Sequence, residues 1–124
     1  MSDVAILGAG PIGAAIAHKL AERERVRTIR LIDPAGTVAA GKALDIAQSG
    51  PVDGFDTRVS GASEVLAAAA AAVIVVADGV AEGEWAGETG LAMLGQIVRA
   101  GTTAPFVFTG PSQISLLERC FQEL

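Results

Sequence analysis

The 124 residues leave room for one domain with a sizeable buried core. A formal net charge of −5 argues against nucleic-acid or anionic-membrane partners, and the single cysteine, Cys120, excludes a disulfide framework or a cysteine-based zinc site. The apolar half of the chain is mostly Ala, Val, Ile and Leu, which suits helices packed closely on a parallel sheet.

Taken in chain order, residues 4–7 read as a short strand buried on both faces. Gly8-x-Gly10-x-x-Gly13 follows, and then a helix over 11–23. Strand, glycine turn and helix in that order are the context of a dinucleotide fingerprint. Gly8 lets the chain turn out of the strand, Gly10 leaves room for a pyrophosphate, and Gly13 lets the helix pack closely. Pro11 suits a first-turn position that needs no N–H donor. The free amides at the helix start, Ile12 among them, would face the phosphates.

Residues 26–32 read as a second strand that ends at Asp33, 20 residues beyond Gly13. An acid there can accept both ribose hydroxyls and repel a 2′-phosphate, which favours NAD over NADP. The plainer alternative is a strand-end aspartate that caps a turn before Pro34. A helix over 37–48 is ended by Ser49-Gly50-Pro51, and Asp53-Gly54 marks a turn. Residues 57–60 form a weak strand, and Ser63 caps a helix to about residue 70. Residues 72–77 form a second strongly buried strand. A loop over 78–87 leads to a helix over 91–99, then a strand over 105–109 and a helix over 111–124. The alternation predicts an α/β fold of Rossmann type, a parallel sheet with helices on both faces. The first strand should lie at the sheet centre, beside the switch in strand order.

The apolar stretch 67–77 is too short to cross a membrane. The N-terminus shows no basic segment followed by a long apolar one, so a soluble, cytoplasmic protein is expected.

Gly8-Ala9-Gly10-Pro11-Ile12-Gly13, then Asp33, then Gly41-Lys42-Ala43-Leu44-Asp45-Ile46 resemble the N-terminal half of the malate and lactate dehydrogenases. Residues 73–80 resemble the family's fourth strand and the turn over the cofactor. Phe106-Val107-Phe108-Thr109-Gly110-Pro111 resembles its fifth strand and the Asn-Pro motif that follows. The resemblance covers almost the whole chain and about the first half of a typical member. It implies a single NAD-binding domain whose cofactor contacts come from Gly8, Gly10, Pro11, Ile12, Gly13, Asp33, Ala77, Asp78, Gly79 and Thr109. It also implies hydride transfer between NAD and a 2-hydroxy acid in the family.

The supporting chemistry is thin in these residues. The family's catalytic histidine belongs to a C-terminal domain that this sequence does not contain. His18, the sole histidine, reads as a surface or interface residue of the first helix. No Arg or Lys lies between Arg58 and Arg99, where the family carries substrate-binding arginines; Glu82, Glu84 and Glu88 would repel a dicarboxylate. Gly110 replaces the motif's Asn, and Asp78 stands where the family usually has a small residue close to the pyrophosphate; the two readings of that charge are that it weakens NAD binding or that it caps the loop. Trp85 reads as cover for an apolar patch.

The reading is therefore an NAD(H)-binding domain that is not catalytic by itself. One alternative is a divergent stand-alone module with a regulatory or interaction role. Another, ranked below it, is a small enzyme acting at Asp78, Glu82 or Glu84. A homodimer is expected from the small residues Ala39, Ala40, Gly41 and Ala43, and from Ile114, Leu116, Leu117 and Phe121 on the last helix.

Overall fold

The computed structural model describes residues 3–81 and 83–124, with Glu84 described by its backbone. Five parallel strands form the sheet: β1 (Asp3–Leu7), β2 (Thr28–Ile32), β3 (Arg58–Ala62), β4 (Val73–Val76) and, after a small hairpin, β7 (Phe106–Phe108). Their order is β3-β2-β1-β4-β7, so β1 is central and the direction of winding reverses between β1 and β4. The predicted Rossmann-type sheet and the central place of the first strand are both realised.

Side-chain alternation along β1 divides the core. Val4 and Ile6 point to one face, where Ile29 and Leu31 of β2 join Ala17 and Ala21 of α1 (Pro11–Arg23) and Ala39, Ala43 and Ile46 of α2 (Gly36–Asp53). Ala5 and Leu7 point to the other, with Ile74 and Val76 of β4, Leu94 and Ile97 of α3 (Gly87–Arg99), and Leu116 of α4 (Ile114–Glu123). Small residues bring the first layer close. A Cβ added to Gly61 of β3 would overlap the Ala39 backbone of α2.

Four expectations need correction. The second helix does not stop at Ser49-Gly50-Pro51 but runs through Pro51 to Asp53. It closes on Gly54, at φ +82°, whose N–H donates to the Gly50 carbonyl at 2.6 Å. Buried Phe55 folds back over Gly50, and that packing offsets the bond lost at the proline. Residues 65–68 form a 3-10 turn rather than an α-helix. The chain here must pass from the sheet edge across two strands, about 14 Å at the usual strand spacing, and a tighter helix rises more per residue.

The loop after β4 holds a two-stranded antiparallel hairpin, β5 (Asp78–Gly79) and β6 (Gly83–Glu84), and α3 begins at Gly87, not Leu91. Finally, a 3-10 turn over Pro111–Gln113 precedes α4. Among the described residues, no helix is long and apolar enough to cross a membrane.

Gln113 ties the carboxyl ends of β4 and β7 together. Its side chain is fully buried. The amide nitrogen donates to the Ala77 carbonyl at 3.0 Å and the Trp85 carbonyl at 3.1 Å. The amide oxygen accepts from the N–H groups of Thr109 and Gly110, both at 3.1 Å. Gln113→Met keeps the volume and removes all four bonds. Each buried backbone group left unpaired costs about 1–3 kcal/mol. Denaturant unfolding should show a loss of at least about 2 kcal/mol, with Trp85 emission shifted to the red. Unchanged stability would mean that the clamp contributes nothing.

Candidate functional site

Every predicted site residue sits at or just beyond the carboxyl end of a parallel strand: the glycine turn after β1, Asp33 after β2, Ala77 to Gly79 after β4, and Thr109 after β7. That is the crevice beside the reversal in strand order, where open α/β sheets bind ligands. Gly8 has φ +112°, a conformation that favours glycine, and a Cβ there would overlap the Asp78 main chain. A Cβ on Gly13 would overlap the Gly8 carbonyl, so this glycine sets how closely α1 approaches the turn. Pro11 occupies the first turn of α1.

Gly10 caps α1 without a side chain, so the helix has no local partner for its first amides. Asp78 supplies one from the far side of the crevice. Its Oδ2 accepts from the Ile12 N–H at 3.0 Å and its Oδ1 from the Gly13 N–H at 2.8 Å. Its main-chain carbonyl accepts from the Gly10 N–H at 2.9 Å. The residue is only 5% exposed. A carboxylate at a helix N-terminus is stabilising by up to about 2 kcal/mol when partly buried.

Asp33 is also engaged. Its Oδ2 accepts from the N–H groups of Ala9 and Val80, and its Oδ1 from that of Ala35, all at 2.9 Å. The turn-capping alternative is therefore realised in the Ala35 bond, while Ala9 and Val80 bind the same carboxylate into the crevice. Lys42, from α2, donates its Nζ proton to the Ala9 carbonyl at 2.6 Å.

The residue types at this crevice fit a dinucleotide, but their arrangement in this conformation does not. The helix amides that would receive a pyrophosphate hold the Asp78 carboxylate, and the acid that would receive a ribose holds the Val80 amide. The place that Gly10 leaves open is filled by Asp78 Oδ2, which would lie 2.5 Å from a Cβ at that position. Ala77 is buried, with its N–H bonded to the Leu7 carbonyl at 2.9 Å. Gly79 pairs with Gly83 across the hairpin and packs on the Trp85 ring. Thr109 donates its hydroxyl proton to the Val76 carbonyl at 3.2 Å.

Trp85 is buried and donates its indole N–H to the Leu7 carbonyl at 3.1 Å, so it covers the core as expected. Glu88 does not act as a free repelling charge. It pairs with Arg119 of α4 at 2.6 Å. Arg119 also bonds Glu123; these hydrogen bonds raise the guanidinium above its ordinary range and hold the Glu123 carboxyl below its own. The reading of Glu82 lies outside the described residues, as does that of the Glu84 side chain. His18 lies two turns along α1 from the glycine turn, 3.3 Å from Glu22 and 3.6 Å from Asp53, half-exposed as expected of a surface residue.

Sequence reasoning missed Lys42 and Gln113 as parts of the site. Lys42 lies inside the Gly-Lys-Ala-Leu-Asp segment, which was a usable signal. A glutamine near a helix start carries none.

Comparison with known proteins places this geometry. The family model described as lactate/malate dehydrogenase, NAD binding domain, matches residues 2–99. A malate dehydrogenase of Chlorobium phaeobacteroides is 38% identical over 78 residues, 63% of this chain and 25% of that protein. That of Chlorobium luteolum is 41% identical over the same shares. The apo malate dehydrogenase of Picrophilus torridus superposes with a TM-score of 0.71 at 26% identity, over 89% of this chain and 38% of its own. The Cryptosporidium parvum lactate dehydrogenase in complex with lactic acid and nicotinamide adenine dinucleotide gives 0.56 at 28% identity, over 60% and 23%. The chain spans about a quarter of the length of the curated relatives it matches. With its sheet order, its glycine turn and these matches, the chain belongs to the NAD-binding-domain family of the lactate/malate dehydrogenases.

Proposed function

We propose that this chain is the NAD(H)-binding part of a malate/lactate dehydrogenase-like oxidoreductase, and that it is not catalytic by itself. The observation that carries the reading is a juxtaposition. The Gly8–Gly13 turn leaves the central strand at the reversal of strand order, and Asp33 ends the strand beside it. Gly8, Gly10, Pro11, Ile12 and Gly13 form the phosphate side of the proposed site. Asp33 forms the ribose side, and Ala77, Asp78, Gly79 and Thr109 line the crevice opposite. The proposed setting is the cytoplasm.

Calorimetric titration with NAD and NADP tests the site. Asp33 disfavours a 2′-phosphate, so NAD should bind at least tenfold more tightly. The unmodified chain is the right material, because removing Asp33 would also orphan the amides of Ala9, Ala35 and Val80. Equal affinity for the two cofactors would sink the assignment of Asp33 to the ribose.

Oxidation of a 2-hydroxy acid needs a base for the hydroxyl proton and a cationic clamp for the carboxylate. His18 lies beside Glu22 and Asp53 along α1, away from the crevice, and Arg119 is committed to Glu88 and Glu123. Malate and lactate oxidation by these 124 residues should therefore be undetectable with NAD in excess. Turnover that co-purifies with the chain as a single species and disappears in Gly10→Val would prove this wrong.

The proposal extends to a homodimer. Ala39 and Ala43 point inward, so α2 offers Ala40, Gly41 and Leu44 at its surface. Helix α4 leaves Ile114 56% and Phe121 84% exposed. Exposed apolar side chains on either helix give a second copy of the chain a surface to cover. Sedimentation equilibrium should give twice the chain mass at micromolar concentration, and a lone monomer mass at the solubility limit would count against association.

A further inference from the structure

We infer that Asp78 is a built-in surrogate for the cofactor's pyrophosphate, and that the segment from Asp78 to Val80 must leave the crevice before a dinucleotide can enter. The inference rests on the reading of this crevice as a dinucleotide site. It concerns what regulates access to it.

Three observations converge. The two carboxylate oxygens of Asp78 take the Ile12 and Gly13 amides at 3.0 and 2.8 Å, and a helix N-terminus offers those same donors to a phosphate. The position beside Gly10 that a pyrophosphate needs is filled by the same carboxylate. Two residues further on, the Val80 N–H donates to Asp33 at 2.9 Å and takes up the acid that would hold the ribose. One short segment therefore covers both halves of the site, and its withdrawal exposes both together. The surrogate is covalently tethered, so it competes at a high effective concentration. A ligand that binds only the open form has its affinity reduced by the fraction of molecules that are open. A carboxylate that stayed in place would also repel the incoming phosphates.

Among the described residues, the hydrogen-bond partners of Asp78 are backbone amides. Lys42 reaches the same turn but is held by the Ala9 carbonyl. Removing the carboxylate thus leaves no second anion among the described contacts of the Ile12 and Gly13 amides.

The test is calorimetric titration of NAD into the unmodified chain, Asp78→Ala and Asp78→Asn. Both variants should bind NAD at least tenfold more tightly than the unmodified chain. Asn keeps the shape and loses the charge, so it guards against a folding defect in the Ala variant; far-ultraviolet dichroism confirms that both are folded. Equal, measurable affinity in all three proteins would overturn the surrogate and leave the NAD reading intact. No NAD binding in any of them would overturn the NAD reading, and the surrogate with it. A measurement on the unmodified protein needs no variant: amide hydrogen exchange at Val80 should speed up as NAD saturates the chain. Undiminished Val80 protection at saturation would show that the segment does not leave.

Discussion

A helix that begins on glycine has no side chain with which to satisfy its first amides, and that constraint governs the functional end of this molecule. Helix α1 must begin on Gly10 because a Cβ there would collide with what lies above it. Its Ile12 and Gly13 amides still need acceptors, and leaving them buried and bare would cost about 1–3 kcal/mol each. In a dinucleotide-binding domain the ligand supplies those acceptors. Here the chain supplies them from residue 78, and the whole turn after β4 is arranged to deliver them. The Asp78 carbonyl bonds Gly10, and the Val80 amide bonds Asp33. The amides at the start of the helix are satisfied from within the chain.

The parts of the fold legible from sequence are those set by local pattern. The run Val4 to Leu7, the glycine turn and the helix to Arg23 follow one another within the first 23 residues, and α1 has the bounds that periodicity predicts. Features decided by tertiary packing and by distant partners were not legible. Pro51 reads as a helix stop, because nothing nearby announces that Phe55 will fold over Gly50 and sustain one more turn. Asp78 and Gly13 are 65 positions apart, so sequence could show a charge near a pyrophosphate site but not the bonds it makes. Glu88 read as a repelling charge because its partner, Arg119, arrives 31 positions later. The full burial of Gln113 was equally invisible, since a polar residue opening a helix is ordinarily solvated.

The edge of the sheet farthest from β3 has its own consequence. Strand β7 is three residues long and, among the described residues, pairs with β4 along one side only. Leu94, Phe106, Leu117 and Phe121 line an apolar groove of about 330 Å³ beside it. A short strand limits the hazard of an open edge, but it also leaves little backbone to hold α4 in place. The helix is instead fixed by Leu116 in the core and by Arg119, which joins it to α3 through Glu88. Burial pushes the Cys120 thiol up, and Glu123 adds to the effect, which disfavours the thiolate.

The two ends of the turn after β4 are anchored by different physics, which localises any motion within it. Ala77 and Trp85 are held inside the core. Ala77 bonds Leu7, and Trp85 bonds Leu7 through its indole and Gln113 through its carbonyl. Losing those contacts would expose a large apolar side chain as well as several backbone groups. Between them, Asp78 and Val80 are held chiefly by polar bonds to amides and to a carboxylate, and Val80 is already 39% exposed. Water or an anion can replace such bonds at little net cost, whereas apolar burial has no substitute. Gly79 and Gly83, the latter at φ +68°, give the backbone the freedom to rearrange between fixed ends. The segment can therefore open by exchanging one set of acceptors for another while the core beneath Trp85 stays closed. A phosphate is the anion best matched to the amides that the exchange would release.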